Sequence, residues 1–328
     1  MKAISLFSGG LDSCIAIKLI KEQGIEVIAM HIDTGFGGTK DNTAHLQNMC
    51  DQLGVELRVV DIKEQFVRDI LFDPKYGYGK NFNPCIDCHA NMFRVAKGLM
   101  QQWGASFLIS GEVMGQRPMS QRADAMKQVI DLAQTDELLL RPLSAKLLAP
   151  TLPEKEGWVD REKLLDIQGR NREVQMRMAE EMGLKDYESP GGGCLLTDEN
   201  FSNKIREFIA HDDAFGIEDI AVLKYGRHFR LPNGAKLIVG RHKEDNEAIE
   251  RINNPKFVTL RLPIAGPYSL ISSDASHEDK TLASKIAITY AKSSVDEEYE
   301  IVINGKERFN LSPFESKAEI APYFFNAQ

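Results

Sequence analysis

Long apolar stretches are missing from this 328-residue chain. No run of about 18 hydrophobic residues occurs, so no segment reads as a membrane-spanning helix. Positive charge is also in short supply. Lys and Arg number 40 against 48 Asp and Glu, a formal net charge of −8, so no global basic field exists and any nucleic-acid contact needs a local patch. Cysteine is scarce and odd in number, five in all: Cys14, Cys50, Cys85, Cys88 and Cys194. That argues against a disulfide framework and leaves metal or thiol chemistry as the better use of a clustered pair. Repeats and low-complexity segments are absent. The opening ten residues reach two glycines too soon for a signal peptide's apolar region and cleavage site, so a cytoplasmic location away from membranes is expected. A hydrophobic content of 43% with 27% charged residues excludes a disordered or collagen-like chain.

What is present is an alternation. Lys2–Phe7, Ile25–Ile32, Val55–Val60 and Phe107–Ser110 read as strands. Between them, Asp12–Gln23, Asn42–Leu53 and a segment from about Cys88 to Trp103 read as helices, the first two stopping at Gly24 and Gly54. Strands alternating with helices of this length imply α/β architecture, a parallel, doubly wound sheet. Leu138–Pro153 reads as an extended, proline-punctuated stretch, followed by helices over Arg161–Ile167 and Arg172–Met182 and a breaker cluster over Ser189–Cys194. Beyond about residue 200 the pattern changes to mixed α+β: a helix over Phe201–Ile209, a hairpin at Asn233-Gly234, a helix over Asp279–Ala291 and a second hairpin at Asn304-Gly305. Two domains are expected, 1–200 and a smaller one over 201–328.

The chemistry starts where the first strand ends, at Ser8-Gly9-Gly10-Leu11-Asp12-Ser13. Two glycines allow a tight turn in which backbone N–H groups and a helix N-terminus converge on an anion, and the two serines add hydroxyls. Asp12 would repel a bare phosphate, so Mg²⁺ bridging carboxylate and phosphates is expected. No lysine follows the glycines, which excludes the Walker pattern, and the spacing is not GxGxxG. SGGLDS resembles the phosphate loop of the PP-loop (N-type, adenine nucleotide alpha-hydrolase-like) ATP pyrophosphatases. The resemblance implies that Ser8, Gly9, Gly10, Asp12 and Ser13 hold the pyrophosphate of ATP with its Mg²⁺, and that the reaction runs through an adenylate. His31 and Asp33, at the end of the second strand, are further nucleotide-site candidates, because open α/β sheets bind ligands at their carboxyl edge.

Cys85-Ile86-Asp87-Cys88-His89 contains C-x-x-C, with Cys194 standing about a hundred residues later. C-x-x-C-H also matches covalent haem attachment, which needs an exported protein, and a zinc site would need a fourth ligand such as His89. Three cysteines could instead hold a [4Fe–4S] cluster with one iron open, or carry a persulfide. Cys14 and Cys50 fall among apolar helix residues and read as buried. The trio is similar to that of the three-cysteine tRNA thiouridine synthetases, and Ser110-Gly111-Glu112 through Gln116 to Gln121, with Arg141-Pro142-Leu143, resembles a segment of the tRNA 4-thiouridine synthetases. That likeness implies that Gly111 lies against the adenylate, that Gln116 lines the reaction centre, and that Cys85, Cys88 and Cys194 deliver sulfur. The usual N-terminal tRNA-binding module of those enzymes is not seen ahead of the first strand.

Between Lys224 and Arg261 nine basic residues stand against four acidic ones. Lys224, Arg227, Arg230, Lys236 and Arg241, interleaved with Tyr225, His228 and Phe229, read as a phosphate-tracking and base-stacking surface. The segment over roughly 215–310 resembles the NFACT-R RNA-binding domain. The expectation is an ATP-dependent tRNA sulfurtransferase, 4-thiouridine favoured over 2-thiouridine, with tRNA as substrate and a cysteine desulfurase or free sulfide as sulfur donor. The rival readings are a PP-loop amide or C–N ligase, which would work without cysteine, and a non-catalytic RNA-binding protein.

Overall fold

A computed structural model describes residues 1–38, 42–188, 193–212 and 214–325. The expected breaker cluster lies mostly outside them, at 189–192. The chain divides into two compact units, Met1–Thr197 and Asp198–Gln328.

The first unit is built on five strands: β1 (Lys2–Leu6), β2 (Glu26–Asp33), β3 (Glu56–Asp61), β4 (Phe107–Ser110) and β5 (Leu139–Leu140). They form one sheet in the order β3-β2-β1-β4-β5, every pair parallel. β1 and β4 are buried through their middles, as central strands covered on both faces must be, which is why they read as continuous apolar runs. The Leu11–Lys21 helix packs its apolar residues into the main core. The Thr43–Leu53 helix ends at Gly54 in the left-handed conformation, and the Lys21 ammonium donates to the carbonyls of Leu53 and Gly54 there, at the negative end of the helix. The order of the strands reverses between β1 and β4. At such a reversal the carboxyl ends of neighbouring strands are where open α/β sheets bind their ligands.

Two local expectations change. The helix expected from about Cys88 begins at Cys85, with Pro84 as its N-cap, so both cysteines sit in its first turn. The helix expected over Arg161–Ile167 is a single 3-10 turn over Arg161–Lys163. The backbone N–H groups of Leu165 and Ile167 instead donate to the carbonyls of Pro142 and Leu143, so pairing with the neighbouring extended stretch outcompetes helix formation.

The second unit is an antiparallel sheet of six strands: β6 (Arg227–Arg230), β7 (Lys236–Val239), β8 (Phe257–Arg261), β9 (Ser269–Ser272), β10 (Tyr299–Ile303) and β11 (Glu307–Leu311), in the order β11-β10-β8-β9-β7-β6. Both Asn-Gly dipeptides turn hairpins. At the second, Asn304 and Gly305 have φ of +51° and +66°, the mirror-image turn that matches strand twist. The His277–Thr289 helix, capped by Ser276, lies over the sheet's core face.

This unit corrects part of the expected RNA surface. Lys236 is 1% exposed and its ammonium is ion-paired with Glu207 from the Glu199–Ile209 helix. Burial pushes the lysine down to about 8 even with that carboxylate beside it. His228 and Phe229 are likewise buried, Phe229 within the core cluster, so neither stacks on a base at the surface. Arg230 also donates to Glu207, at 2.5 Å, so this one acid from outside the basic window neutralises two of its cations. Replacing Glu207 with Gln strands Lys236 in a dry site. The expected loss is about 3–5 kcal/mol, read as a lower midpoint in urea unfolding, whereas Glu207→Gln unfolding like the native chain would show the pair to be dispensable.

Candidate functional site

At the carboxyl end of β1 the chain turns through Gly9 at φ +76°, a conformation that side-chain-bearing residues rarely adopt. Gly10 is the N-cap of the Leu11–Lys21 helix, whose first turn carries N–H groups without helical partners. Ser13 donates from its hydroxyl to Gly10's carbonyl at 2.7 Å, the Gly10 N–H donates to Ser8 Oγ at 3.3 Å, and the two serine hydroxyls lie 3.4 Å apart. The turn therefore brings Ser8, Gly9, Gly10, Asp12 and Ser13 into one nest.

Gly111, the first residue after β4, lies against that nest. A Cβ built there would stand 2.5 Å from the Ser13 backbone nitrogen and 2.6 and 2.7 Å from the Asp12 carbonyl carbon and oxygen. Backbone cannot move aside as a side chain can, so this approach demands glycine. Asp12, 13% exposed in its side chain, receives Gln116 Nε2 and Arg172 Nη2 on one carboxylate oxygen, each at 2.7 Å. Its other oxygen is buried and has no hydrogen-bond partner. An unsatisfied, buried carboxylate oxygen is a fitting ligand for Mg²⁺, so the residues present suit the metal.

His31 and Asp33 are held differently. His31 Nδ1 lies 3.0 Å from the Phe7 carbonyl, which ties the end of β2 to the end of β1. Asp33 accepts from the Gly35 N–H at 2.8 Å and pairs with the Lys63 ammonium at 2.8 Å. The pairing pulls Lys63 up, helped by Asp61.

The cysteines come together from opposite directions. Cys85 and Cys88 stand in the first turn of the Cys85–Trp103 helix, and Cys194 arrives on a segment fixed by the Leu195 N–H donating to Phe36 O and by Asn81 donating to Thr197 O. Burial pushes the Cys88 thiol well up, and the neighbouring sulfurs of Cys194 and Cys85 push it further. The Cys194 residue is exposed, yet its thiol is crowded enough for desolvation to push it up to about 11, with Cys85 adding to the rise. Cys85 is raised by burial as well, countered by a 3.1 Å hydrogen bond from Asn83 Nδ2 and by Arg117. Cys85 thus acts electrostatically on both of the others. Among the described residues, no three His, Cys, Asp or Glu side chains are arranged to hold a metal ion. Cys14 and Cys50 are buried and pushed up to about 12, inert in the core.

Glu112 joins the two halves of the site. It is 6% exposed, and its two oxygens bind His89 Nδ1 and Arg141 Nε, each at 2.7 Å. Burial alone would raise this carboxyl, but Arg141 and His89 outweigh it and hold it down at about 2. Gly111 touches the Ser8–Ser13 turn and its neighbour Glu112 grips the residue after Cys88, so a short stretch of backbone joins that turn to the cysteine helix. Reading the sequence for candidate ligands missed Arg172, Gln175 and the structural role of Arg141. The only available signal was a charged residue with a Gln three positions on, both in a helix start.

Of the cations expected to meet RNA, Lys236 and Arg230 are taken by Glu207. Arg241 is half-exposed and pairs with Asp245. Arg227 donates to Gly240 O and lies 4.7 Å over the Tyr290 ring, which Lys317 also approaches at 5.1 Å. Lys224 ends the Ile217–Lys224 helix, partly exposed.

Residues 1–156 match the tRNA methyl transferase HUP domain family, and residues 226–321 match the NFACT protein RNA binding domain. The tRNA-specific 2-thiouridylase MnmA of Nitratidesulfovibrio vulgaris is 37% identical over 107 residues, 32% of this chain and 31% of its own length. The probable tRNA sulfurtransferase of Methanobrevibacter smithii is 32% identical over 124 residues, 35% of this chain and 30% of its own. The chain thus matches about a third of the length of these curated relatives. Among solved structures, a 4-thiouridine synthetase–RNA complex with bound ATP superposes with a TM-score of 0.41 at 19% identity, covering 56% of this chain and 41% of that one.

Glu112 supplies a pH-dependent prediction. Its folded-state carboxyl titrates below the unfolded value, so its stabilisation is complete above about 4.5 and is lost as pH falls toward 2. Glu112→Gln leaves buried Arg141 without its counter-charge and should cost about 3–5 kcal/mol at neutral pH. Thermal melts at several pH values should show the variant's deficit shrinking through that acid window; a deficit independent of pH would refute the linkage.

Proposed function

From a PP-loop nucleotide domain carried on the same chain as an NFACT-type RNA-binding domain, we infer an ATP-dependent tRNA sulfurtransferase that thiolates a uridine. The observation that supports this reading is the short bridge from Ser13 through Gly111, Glu112 and His89 to Cys88, which links the Ser8–Ser13 turn to the helix that carries Cys85 and Cys88. The Ser8–Ser13 nest would hold the pyrophosphate portion of ATP, and Asp12 would hold Mg²⁺, which would screen the phosphate charge. The carbonyl oxygen of uridine attacks the α-phosphorus and pyrophosphate departs. Adenylation is needed because the uridine oxygen is a poor leaving group, while AMP is a good one.

Free sulfide, were it the donor, would attack the adenylated carbon directly; a cysteine desulfurase instead presents the outer sulfur of its own cysteine persulfide, which passes to an attacking thiolate as the desulfurase cysteine leaves. Cys194, the exposed member of the trio, takes it as a persulfide, since a donor protein can reach it. The terminal sulfur attacks the adenylated ring carbon and AMP leaves with the former uridine oxygen. The Cys85 thiolate attacks the Cys194 sulfur, the S–S bond to the base breaks, and the thiocarbonyl stays on the base. A Cys85–Cys194 disulfide remains, which an external dithiol reduces. A [4Fe–4S] alternative has its own test: anaerobic reconstitution with iron and sulfide gives a visible chromophore and activity without a dithiol only if a cluster carries the sulfur.

Carbon 4 is the ring position we favour, on the Ser110–Gln121 and Arg141–Leu143 segments. The named relatives divide between 2-thiouridylases and a sulfurtransferase of unstated position. RNA is held by the second unit, where Arg227 and Lys317 flank Tyr290. A cytoplasmic setting suits a chemistry that needs reduced thiols.

Two substitutions test the order of events. Asp12→Asn should abolish tRNA-dependent pyrophosphate release. Cys194→Ala should keep pyrophosphate release within about twofold of native while thiolated nucleoside falls below detection. Normal thiolation by Cys194→Ala defeats the sulfur assignment and favours a ligase. Nucleoside analysis of tRNA from a deletion strain reads the ring position directly: loss of 2-thiouridine in place of 4-thiouridine moves the chemistry to carbon 2.

A further inference from the structure

The phosphate nest has no lysine, and its one charged residue, Asp12, carries the wrong sign for a triphosphate. In the Walker loop that cation follows the glycines directly. Here a cation reaches the nest from 160 positions away: Arg172, the N-cap of the Glu173–Glu181 helix, donates from Nη2 to Asp12 at 2.7 Å. Its side chain is 14% exposed, so this charge has been brought into a largely dry site.

An ion pair alone would make Arg172 a structural partner of Asp12. The polar atoms around the pair say more. Arg172 Nε is buried and donates to nothing, Asp12 has one buried oxygen without a donor, and Gln175 Oε1, on a fully buried side chain one turn along the same helix, has no partner either. Gln175 meanwhile donates through Nε2 to Gln116, which donates to Asp12. Buried donors and acceptors left unmade cost about 1–3 kcal/mol each, and three around one carboxylate are the mark of a site waiting for a polar ligand. An acceptor for a guanidinium N–H and a cation for a carboxylate oxygen are the two faces of a metal-bound phosphate.

We propose that Arg172 is the phosphate-binding cation of this nest, doing from a distant helix what the missing lysine would do from the loop. Asp12 fixes one edge of the guanidinium through Nη2, and the unpaired Nε–H is left for a phosphate oxygen of the pyrophosphate portion. Gln175 and Gln116 keep the pair in register. The planar fork matters: a lysine supplies charge but not two donors at a fixed angle. The inference rests on the reading of the loop as an ATP site and adds the residue that makes it attractive to an anion.

Binding, without turnover, tests it. Titrating the native chain and Arg172→Gln with Mg·ATP, with inorganic pyrophosphate and with AMP separates phosphate contacts from contacts to the nucleoside. A charge-assisted hydrogen bond lost from such a site weakens binding about ten- to a hundredfold. The expectation is that size of loss for ATP and for pyrophosphate, with AMP affinity unchanged. Arg172→Lys, which keeps the charge and the fold if the glutamine variant does not fold, should recover only part of it. Native-like affinity for ATP and pyrophosphate in either folded variant overturns the proposal. So does an equal loss for all three ligands, which marks Arg172 as a purely structural support of Asp12. Failure of the native chain to bind ATP at all is a different result: it removes the nucleotide site itself, and Arg172's role with it.

Discussion

Everything in the first unit turns on a contact that contains no side chain. The peptide at Gly111 lies so close to the Asp12–Ser13 peptide that a single methyl group would overlap backbone atoms on the other strand's loop. β1 and β4 are hydrogen-bonded neighbours, so the residues after them begin a strand's spacing apart. At the point where the strand order reverses, one chain passes over the edge into a helix and the other continues outward. Glycine lets the second close onto the first, and the distance between the phosphate nest and the residue after Gly111 is then no longer adjustable.

That next residue is Glu112, and its environment contrasts usefully with that of Asp12. Glu112 is buried and Asp12 largely so, each beside an arginine. Glu112 has a donor on each oxygen, Arg141 on one and His89 on the other, and its carboxyl is held far below the usual range. Such a group is finished: it has nothing left to bind and serves as a rivet between the end of β4, the cysteine helix and the segment after β5. Asp12 has two donors on one oxygen and none on the other. Two carboxylates with similar burial are thus assigned opposite tasks by how completely their lone pairs are used. Counting unsatisfied atoms separates them where burial does not.

The parallel sheet was legible because its strands are continuous apolar runs punctuated by glycine-terminated helices, and both Asn-Gly hairpins were legible because turn chemistry is local. Ser8–Ser13 and the cysteine pair could be found for the same reason. Residues that act through long-range pairing could not. Arg172 belongs to the nest only because the fold returns there 160 positions later. Lys236 looked like a surface cation because Glu207 lies outside the basic window, and a charge count along the chain cannot see an acid that arrives from a neighbouring helix. His228 and Phe229 failed similarly: interleaving with arginines suggested a wet strand face, but β6 is an edge strand whose middle residues are covered by the chain near Phe324 and Phe325. The lost helix over Arg161–Ile167 had helical spacing and adequate propensity, and tertiary pairing with 142–146 overrode both.

The thiols carry the same lesson into chemistry. Each of the three is raised by burial, and Cys88 and Cys194 are raised further by a neighbouring sulfur, so removing one proton makes the next harder to remove. A resting trio of neutral thiols is chemically quiet, which protects it from oxidation. Only one of them is placed to change that. Cys88 and Cys85 are partly buried, Cys85 hydrogen-bonded to Asn83, while Cys194 lies on an exposed residue. If the chain works as proposed, a sulfur donor would meet Cys194 first, and the asymmetry of exposure, rather than any difference in intrinsic reactivity, would give the three cysteines an order.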